Sequence, residues 1–175
     1  METVESVNAK VQAQVPEPVV ACGRLQPAGT WGSFGLMKLS PAAGILRQRS
    51  ANKNAGQLST RGAMFKNNRQ TMFALTADKL YAFETKISGY TGIKILGQLV
   101  EWNRADLTVQ TIPGKLATKI VLDHADGGHY ELEATTVASK GYNDPLLAEL
   151  KKTDPANLAP DAALALILRL KELAD

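Results

Sequence analysis

The sequence predicts an α+β domain: mainly antiparallel β-structure followed by C-terminal helices. Three observations carry this. Short apolar runs alternate with turn-forming residues along most of the chain, two of these stretches read as self-complementary hairpins, and two strong helix starts come late, at Asn143-Asp144-Pro145 and Pro160-Asp161. A chain of 175 residues is one ordinary domain with room for a hydrophobic core. Its hydrophobic share of 45% and charged share of 21% are those of a globular protein.

The first 17 residues form a polar leader. Val4, Val7, Val11 and Val15 recur at spacings of three and four, a short amphipathic pattern stopped by Pro16. So short a helix is marginal in isolation, and a flexible leader is expected. The leader has neither the basic start nor the apolar stretch of a secretory signal. VVACGRL, Val19 to Leu25, reads as a first strand. The Gly-rich stretch after it has little periodicity, and loops with one or two short strands are expected there.

The stretch TMFALTADKLYAFETK, Thr71 to Lys86, decides between helix and hairpin. A two-residue turn at Ala77-Asp78 places Leu75 opposite Leu80, Ala74 opposite Tyr81, Phe73 opposite Ala82 and Met72 opposite Phe83. Apolar meets apolar on both faces, as in strands covered on both sides. On a helix the aromatic residues would scatter around the axis, so the hairpin is predicted.

Two further β units follow. Strands are expected near Gly97–Trp102 and Leu107–Ile112, joined through Asn103-Arg104-Ala105-Asp106. TKIVLDHADGGHYELEATT is the clearest hairpin. With Asp126-Gly127-Gly128 as its loop, Leu122 pairs with Leu132, Ile120 with Ala134 and His124 with Tyr130. Asp123, Glu131 and Glu133 then face water. Asp144 is expected to cap a helix through LLAELKK, with Pro145 in its first turn and Pro155 ending it. Pro160 to Ala174 predicts a second helix. Leu164, Ile167 and Leu168 on one flank and Ala163, Leu166, Leu170 and Leu173 on the next give it more apolar width than a solvated helix needs. It either folds back over the Met72–Phe83 hairpin, the favoured reading, or pairs with the same helix of another subunit.

Charge is unevenly distributed. Between Pro18 and Ala77 there is no Asp or Glu, while Arg24, Lys38, Arg47, Arg49, Lys53, Arg61, Lys66 and Arg69 give eight positive charges. Residues 78 to 175 carry 14 acids against 11 bases. A one-sign block this long speaks about partners rather than fold. Its structural alternative is a solvated basic loop.

The blocks MFALTADKLYAFE, GQLVEWNRADLTV, LDHADGGHYELEA and NDPLLAELKK together resemble those of bacterial pleckstrin-homology-like proteins. The resemblance spans residues 19–152 and departs from the pattern in the long acid-free insertion and the second C-terminal helix. It implies an antiparallel β-barrel or sandwich capped by a helix, over residues 18–152. Residues 1–17 would be the flexible leader, and 153–175 a linker and apolar helix. KLSPAAGILRQR resembles the pattern with which some such domains grip phosphorylated headgroups, so Lys38, Arg47 and Arg49, with Lys53 and Arg61 nearby, are the candidate anion- or lipid-binding residues. Trp31 and Phe34 are candidate interface residues, inserting into a membrane or stacking on bases; their structural alternative is to plug the barrel end. Leu164, Ile167 and Leu168 are candidates for a subunit interface.

Catalytic and metal chemistry find no recognisable motif. No glycine pattern matches a phosphate-cradling loop. The two histidines, His124 and His129, fall on opposite faces of the predicted hairpin, so no shared metal and no cofactor is expected. Cys22, the one cysteine, rules out an internal disulfide and sits in a predicted strand as a buried thiol. The expected function is therefore a non-catalytic binding or adaptor module, cytoplasmic or peripheral to a membrane. Its basic region would meet an acidic protein or an anionic membrane surface. Nucleic-acid binding through residues 24–69 and homo-oligomerisation through the C-terminal helix are the alternatives.

Overall fold

The hairpin at the centre of the chain organises everything around it. In a computed structural model describing residues 3–29, 70–88, 92–115, 117–135 and 143–154, β2 (Gln70–Leu75) and β3 (Lys79–Ser88) pair in the expected register, from Leu75 opposite Leu80 to Met72 opposite Phe83. The strands β1 (Ala21–Pro27), β4 (Gly92–Asn103), β5 (Leu107–Ile112), β6 (Ala117–His124) and β7 (His129–Thr135) complete one antiparallel sheet in the order β4-β3-β2-β1-β7-β6-β5. The helices α1 (Val4–Gln12) and α2 (Asp144–Lys152) pack onto it. This is an α+β architecture, and the sheet is not closed. The expected unit of β4 and β5 is consecutive but unpaired: a 3-10 turn, Arg104–Asp106, joins strands at the two ends of the sheet order and leaves a seam between them.

β1 makes the bend. Ala21 to Leu25 pair with β2, whereas Gln26 and Pro27 pair with β7, so one strand passes from one half of the sheet to the other. The halves enclose a core of Leu25, Phe73, Leu75, Leu80, Trp102, Val109, Ile120, Leu122, Tyr130 and Leu132. α2 closes its open side with Leu146, Leu147 and Leu150.

Both ends of the sheet order are blunted against further pairing. β4 carries two bulges, at Leu99 and Leu96, where its register with β3 slips. On β5 the Thr111 amide donates to Asp154 Oδ2 (2.8 Å), supplied from beyond the end of α2.

Four expectations change. The leader packs. Thr3 Oγ1 accepts from Ser6 N to start α1, and Val7, Val11 and Val15 bury themselves on Cys22, Met72, Ala74, Tyr81 and Phe83. The tertiary surface supplies what a nine-residue helix lacks alone. Gln12 then ties the link to β1, donating to Glu17 O (2.9 Å) and accepting from Val19 N (2.8 Å). α1 thus covers the hairpin face that was expected to receive the C-terminal helix; that helix itself lies outside the described residues.

The β6–β7 register differs by two positions: Leu122 faces Tyr130, Ile120 faces Leu132 and Thr118 faces Ala134. The cause is Gly127, whose φ of 88° puts the left-handed residue one place earlier than a loop ending at Gly128 requires. Gly127 N donates to His124 O (2.9 Å) and His124 N to Gly128 O (2.8 Å), closing a three-residue loop of Ala125 to Gly127. A shift of two keeps every side chain on its face.

Glu133, expected in water, is 7% exposed, because its carboxylate accepts from Gly29 N (2.9 Å) and Gln26 Nε2 (3.5 Å). Finally, the residue before α2 is Asn143 rather than Asp144. Its side chain does not cap the helix. Oδ1 accepts from Arg24 N (2.7 Å) and Nδ2 donates to Thr135 O (3.4 Å), tying α2 to both β1 and β7.

Candidate functional site

Hydrogen bonds gather three of the connections between strands. At one rim the β2–β3, β4–β5 and β6–β7 turns bond to one another. Arg104 N donates to Asp78 O (2.8 Å), its guanidinium Nη1 donates to Thr76 O (3.1 Å) and Ala77 O (3.0 Å), and Ala125 N donates to Asp106 O (2.9 Å). A groove of about 710 Å³ opens beside them at the seam, lined by Gln98, Leu99, Glu101, Trp102, Asp106, His124 and Asp126 among others. Trp102 forms its floor, its ring centroid 5.0 Å from Tyr130 and 5.8 Å from His124.

The acids of this groove are already engaged. Glu101 takes a 2.7 Å bond from Lys79 and a 3.2 Å bond from Gln98 Nε2, and these hold its carboxyl below the usual carboxylate range. Lys79, bonded to Glu101 and 3.5 Å from Glu17, is raised in turn. Burial, then the nearby Glu101 and Glu17, push the Tyr81 hydroxyl up. Asp106 accepts from Asn103 Nδ2 (3.1 Å), and Asp126 accepts from Gly128 N (2.9 Å). His124 Nδ1 lies 2.8 Å from Asp126 Oδ1 and 3.2 Å from its amide, so its tautomer selects which it meets. His129 pairs with Asp123 on the other face. Among the described residues no group of three or more His, Cys, Asp or Glu could hold a metal ion.

Cations are found at other strand ends. Leu25 faces Thr71 across β1 and β2, so the strands that flank residues 28–69 lie side by side. That segment holds seven Lys and Arg and no acid. The β3–β4 hairpin at the same end of the sheet sets Lys86 directly opposite Lys94, while Lys115 stands apart, in the β5–β6 connection beyond Thr111 and Asp154. All three are exposed, and among the described residues none has an ion-pair partner. Lys10 of α1 adds a further cation, its ammonium donating to Ile93 O (3.2 Å). Like charges directly opposite repel, so a Lys–Lys pair is not there for stability. Leu96 (39% exposed) stands on β4 two residues from Lys94, and Ile112 (45%) on β5 three residues from Lys115.

Of the residues singled out in the sequence, Lys38, Arg47, Arg49, Lys53, Arg61, Trp31, Phe34, Leu164, Ile167 and Leu168 all lie outside the described residues. Sequence reasoning did not find Lys86, Lys94, Leu96, Ile112 or Lys115. A signal existed in KISGYTGIK, which runs from Lys86 to Lys94 as a near-mirror around Gly89 to Gly92. Among the described residues no helix is long and apolar enough to cross a membrane. No family model matches the chain, and neither a curated protein nor a solved structure matches it.

Proposed function

We propose that this chain is a non-catalytic binding module of pleckstrin-homology-like architecture whose basic region engages an anionic surface or an acidic protein partner. Support for the architecture comes from the continuous antiparallel order β4-β3-β2-β1-β7-β6-β5 and from a helix packed over its open side. One observation carries the function. The acid-free segment 28–69 begins and ends on the neighbouring strands β1 and β2, at the end of the sheet where Lys86 and Lys94 stand opposite each other without counter-ions among the described residues. Clustered cations concentrate an anionic partner, speed its encounter and are screened by salt.

The test replaces Arg47, Arg49 and Lys53 together by Ser. Binding to anionic vesicles or to polyglutamate falls, more steeply at low salt, while the melting temperature stays within a few degrees, because solvated charges contribute little to stability. Wild-type protein that binds neither probe at low salt retires the reading.

A further inference from the structure

The groove at the seam has no part in the binding of anions, and its chemistry is the reverse of the basic segment's. Its acids are Glu101, Asp106 and Asp126, and none of the described residues that line it is Lys or Arg. Lys79 offsets Glu101 at 2.7 Å. Arg104 does not offset Asp106, because its guanidinium is turned to the carbonyls of Thr76 and Ala77. The exposed Asp106 instead accepts from the neutral Asn103 Nδ2 (3.1 Å), and Asp126 meets Gly128 N and His124 Nδ1. A cleft lined by one sign of charge concentrates ligands of the other sign.

A second feature is independent of charge. Trp102 is 4% exposed, yet its indole Nε1–H donates to no group among the described residues and is not sealed from solvent. A buried indole N–H ordinarily has an acceptor. Here the donor belongs to the floor of a groove of about 710 Å³, a volume that suits a short segment of chain.

We propose that this groove binds a basic peptide segment of a partner protein. Trp102 Nε1–H donates to a backbone carbonyl of the peptide, and the Lys or Arg side chains beside that carbonyl reach Asp106 and Asp126. Their aliphatic stems lie along Leu99 and the edge of Trp102. Other ligands meet only part of this chemistry. A polyanion is repelled by the carboxylates. A metal ion finds no group of three or more His, Cys, Asp or Glu among the described residues. A polyamine satisfies the carboxylates but offers the indole no acceptor. A peptide answers donor and acids together, because every residue sets a carbonyl next to its own side chain. The site is separate from the basic segment 28–69 and does not rest on the function proposed for it.

The experiment is fluorescence anisotropy of labelled, end-blocked tetra-arginine and tetra-lysine titrated with the full chain at low salt, with tetraglutamate and spermidine as competitors. Wild type binds both basic peptides saturably, and tetraglutamate does not displace them from the groove. Asp106→Asn/Asp126→Asn keeps the turn acceptors and weakens binding about five- to ten-fold, an effect that shrinks as salt rises. Asp123→Asn/Glu149→Gln removes the same charge away from the groove and leaves binding near the wild-type value. Trp102→Phe keeps a ring in the floor, removes the donor and weakens binding about five-fold. Should Trp102→Phe fail to fold, the Asp106→Asn/Asp126→Asn result decides by itself. Absence of saturable binding, or equal losses in the two acid-to-amide pairs, overturns the groove as a site. Displacement by spermidine at the concentrations at which the peptides bind overturns the peptide assignment. Arg47→Ser/Arg49→Ser/Lys53→Ser binds the basic peptides as wild type does, so loss of anion binding and loss of this site are read separately. Tighter peptide binding by that variant places the chain's own basic segment in the groove and overturns the assignment to a partner.

Discussion

Gly23 lies against Leu146. A Cβ built on this β1 glycine would stand 2.9 Å from Leu146 Cδ2, 3.0 Å from Leu146 Cβ and 3.1 Å from Asn143 Oδ1. The Cδ2 end of the leucine could rotate away, but its Cβ moves only if α2 moves. The absence of a side chain at position 23 is therefore what lets α2 seat itself and lets Asn143 reach the Arg24 amide. Gly23→Ala is expected to destabilise the fold by roughly 1–3 kcal/mol, despite the usual gain of replacing a strand glycine. Denaturant unfolding checks this; a stabilised variant would mean that α2 tolerates the shift.

The α1 contact predicts a local rather than global failure. Val11 is fully buried on the face that holds Cys22, Tyr81 and Phe83, the last two rings stacked at 6.2 Å. Val11→Asp places an unpaired carboxylate there, at a cost of roughly 2–4 kcal/mol. Undocking of α1 limits that cost, because the sheet beneath keeps its own core. The Cys22 thiol, now beside Asn8, then becomes reactive toward a thiol reagent while the β-sheet signal in circular dichroism persists. Unchanged thiol protection would show that α1 does not shield this face.

The β6–β7 hairpin separates a buried position from its exposed neighbour. Leu122 is fully buried, and Leu122→Asp is expected to leave no folded protein at room temperature. Asp123 is exposed and pairs with His129, so Asp123→Leu loses only a surface ion pair, about 0–1 kcal/mol. Comparable melting curves for the two variants would put the strand faces the other way round.

Acid sensitivity follows from Glu101. Its carboxyl is held low chiefly by the bond from Lys79, so the folded state keeps it charged more readily than the unfolded state does. The stability this contributes is complete above the ordinary Glu value of about 4.3 and is lost as pH falls through the lower folded value. Lys79 is raised, so its share persists until pH climbs past the ordinary lysine range and has no bearing on the acid side. Lys79→Met should flatten the decline of melting temperature below about pH 4.3, relative to wild type, in a pH series at low salt. An identical decline in both proteins would assign the acid sensitivity elsewhere.

Local pattern was enough wherever partners lie close along the chain. The β2–β3 register was legible because a two-residue turn joins two runs that are apolar on both faces, and any odd slip would oppose polar to apolar residues. The inward face of β6 and β7 was legible for the same reason. Their register was not, since an even shift leaves the pattern unchanged and two adjacent glycines could each take the left-handed turn position; the conformation of Gly127 decided it. The valine stripe of α1 was visible, but its partner surface comes from Cys22, Met72 and Phe83, too distant in sequence for local propensity to foresee. The basic block from Arg24 to Arg69 is a property of composition alone. That the strands at its ends, β1 and β2, lie side by side, at the same end of the sheet as the opposed Lys86 and Lys94, only tertiary pairing could decide. Periodicity records which face a residue buries, whereas position around a sheet depends on strand order, which is settled by contacts between distant parts of the chain.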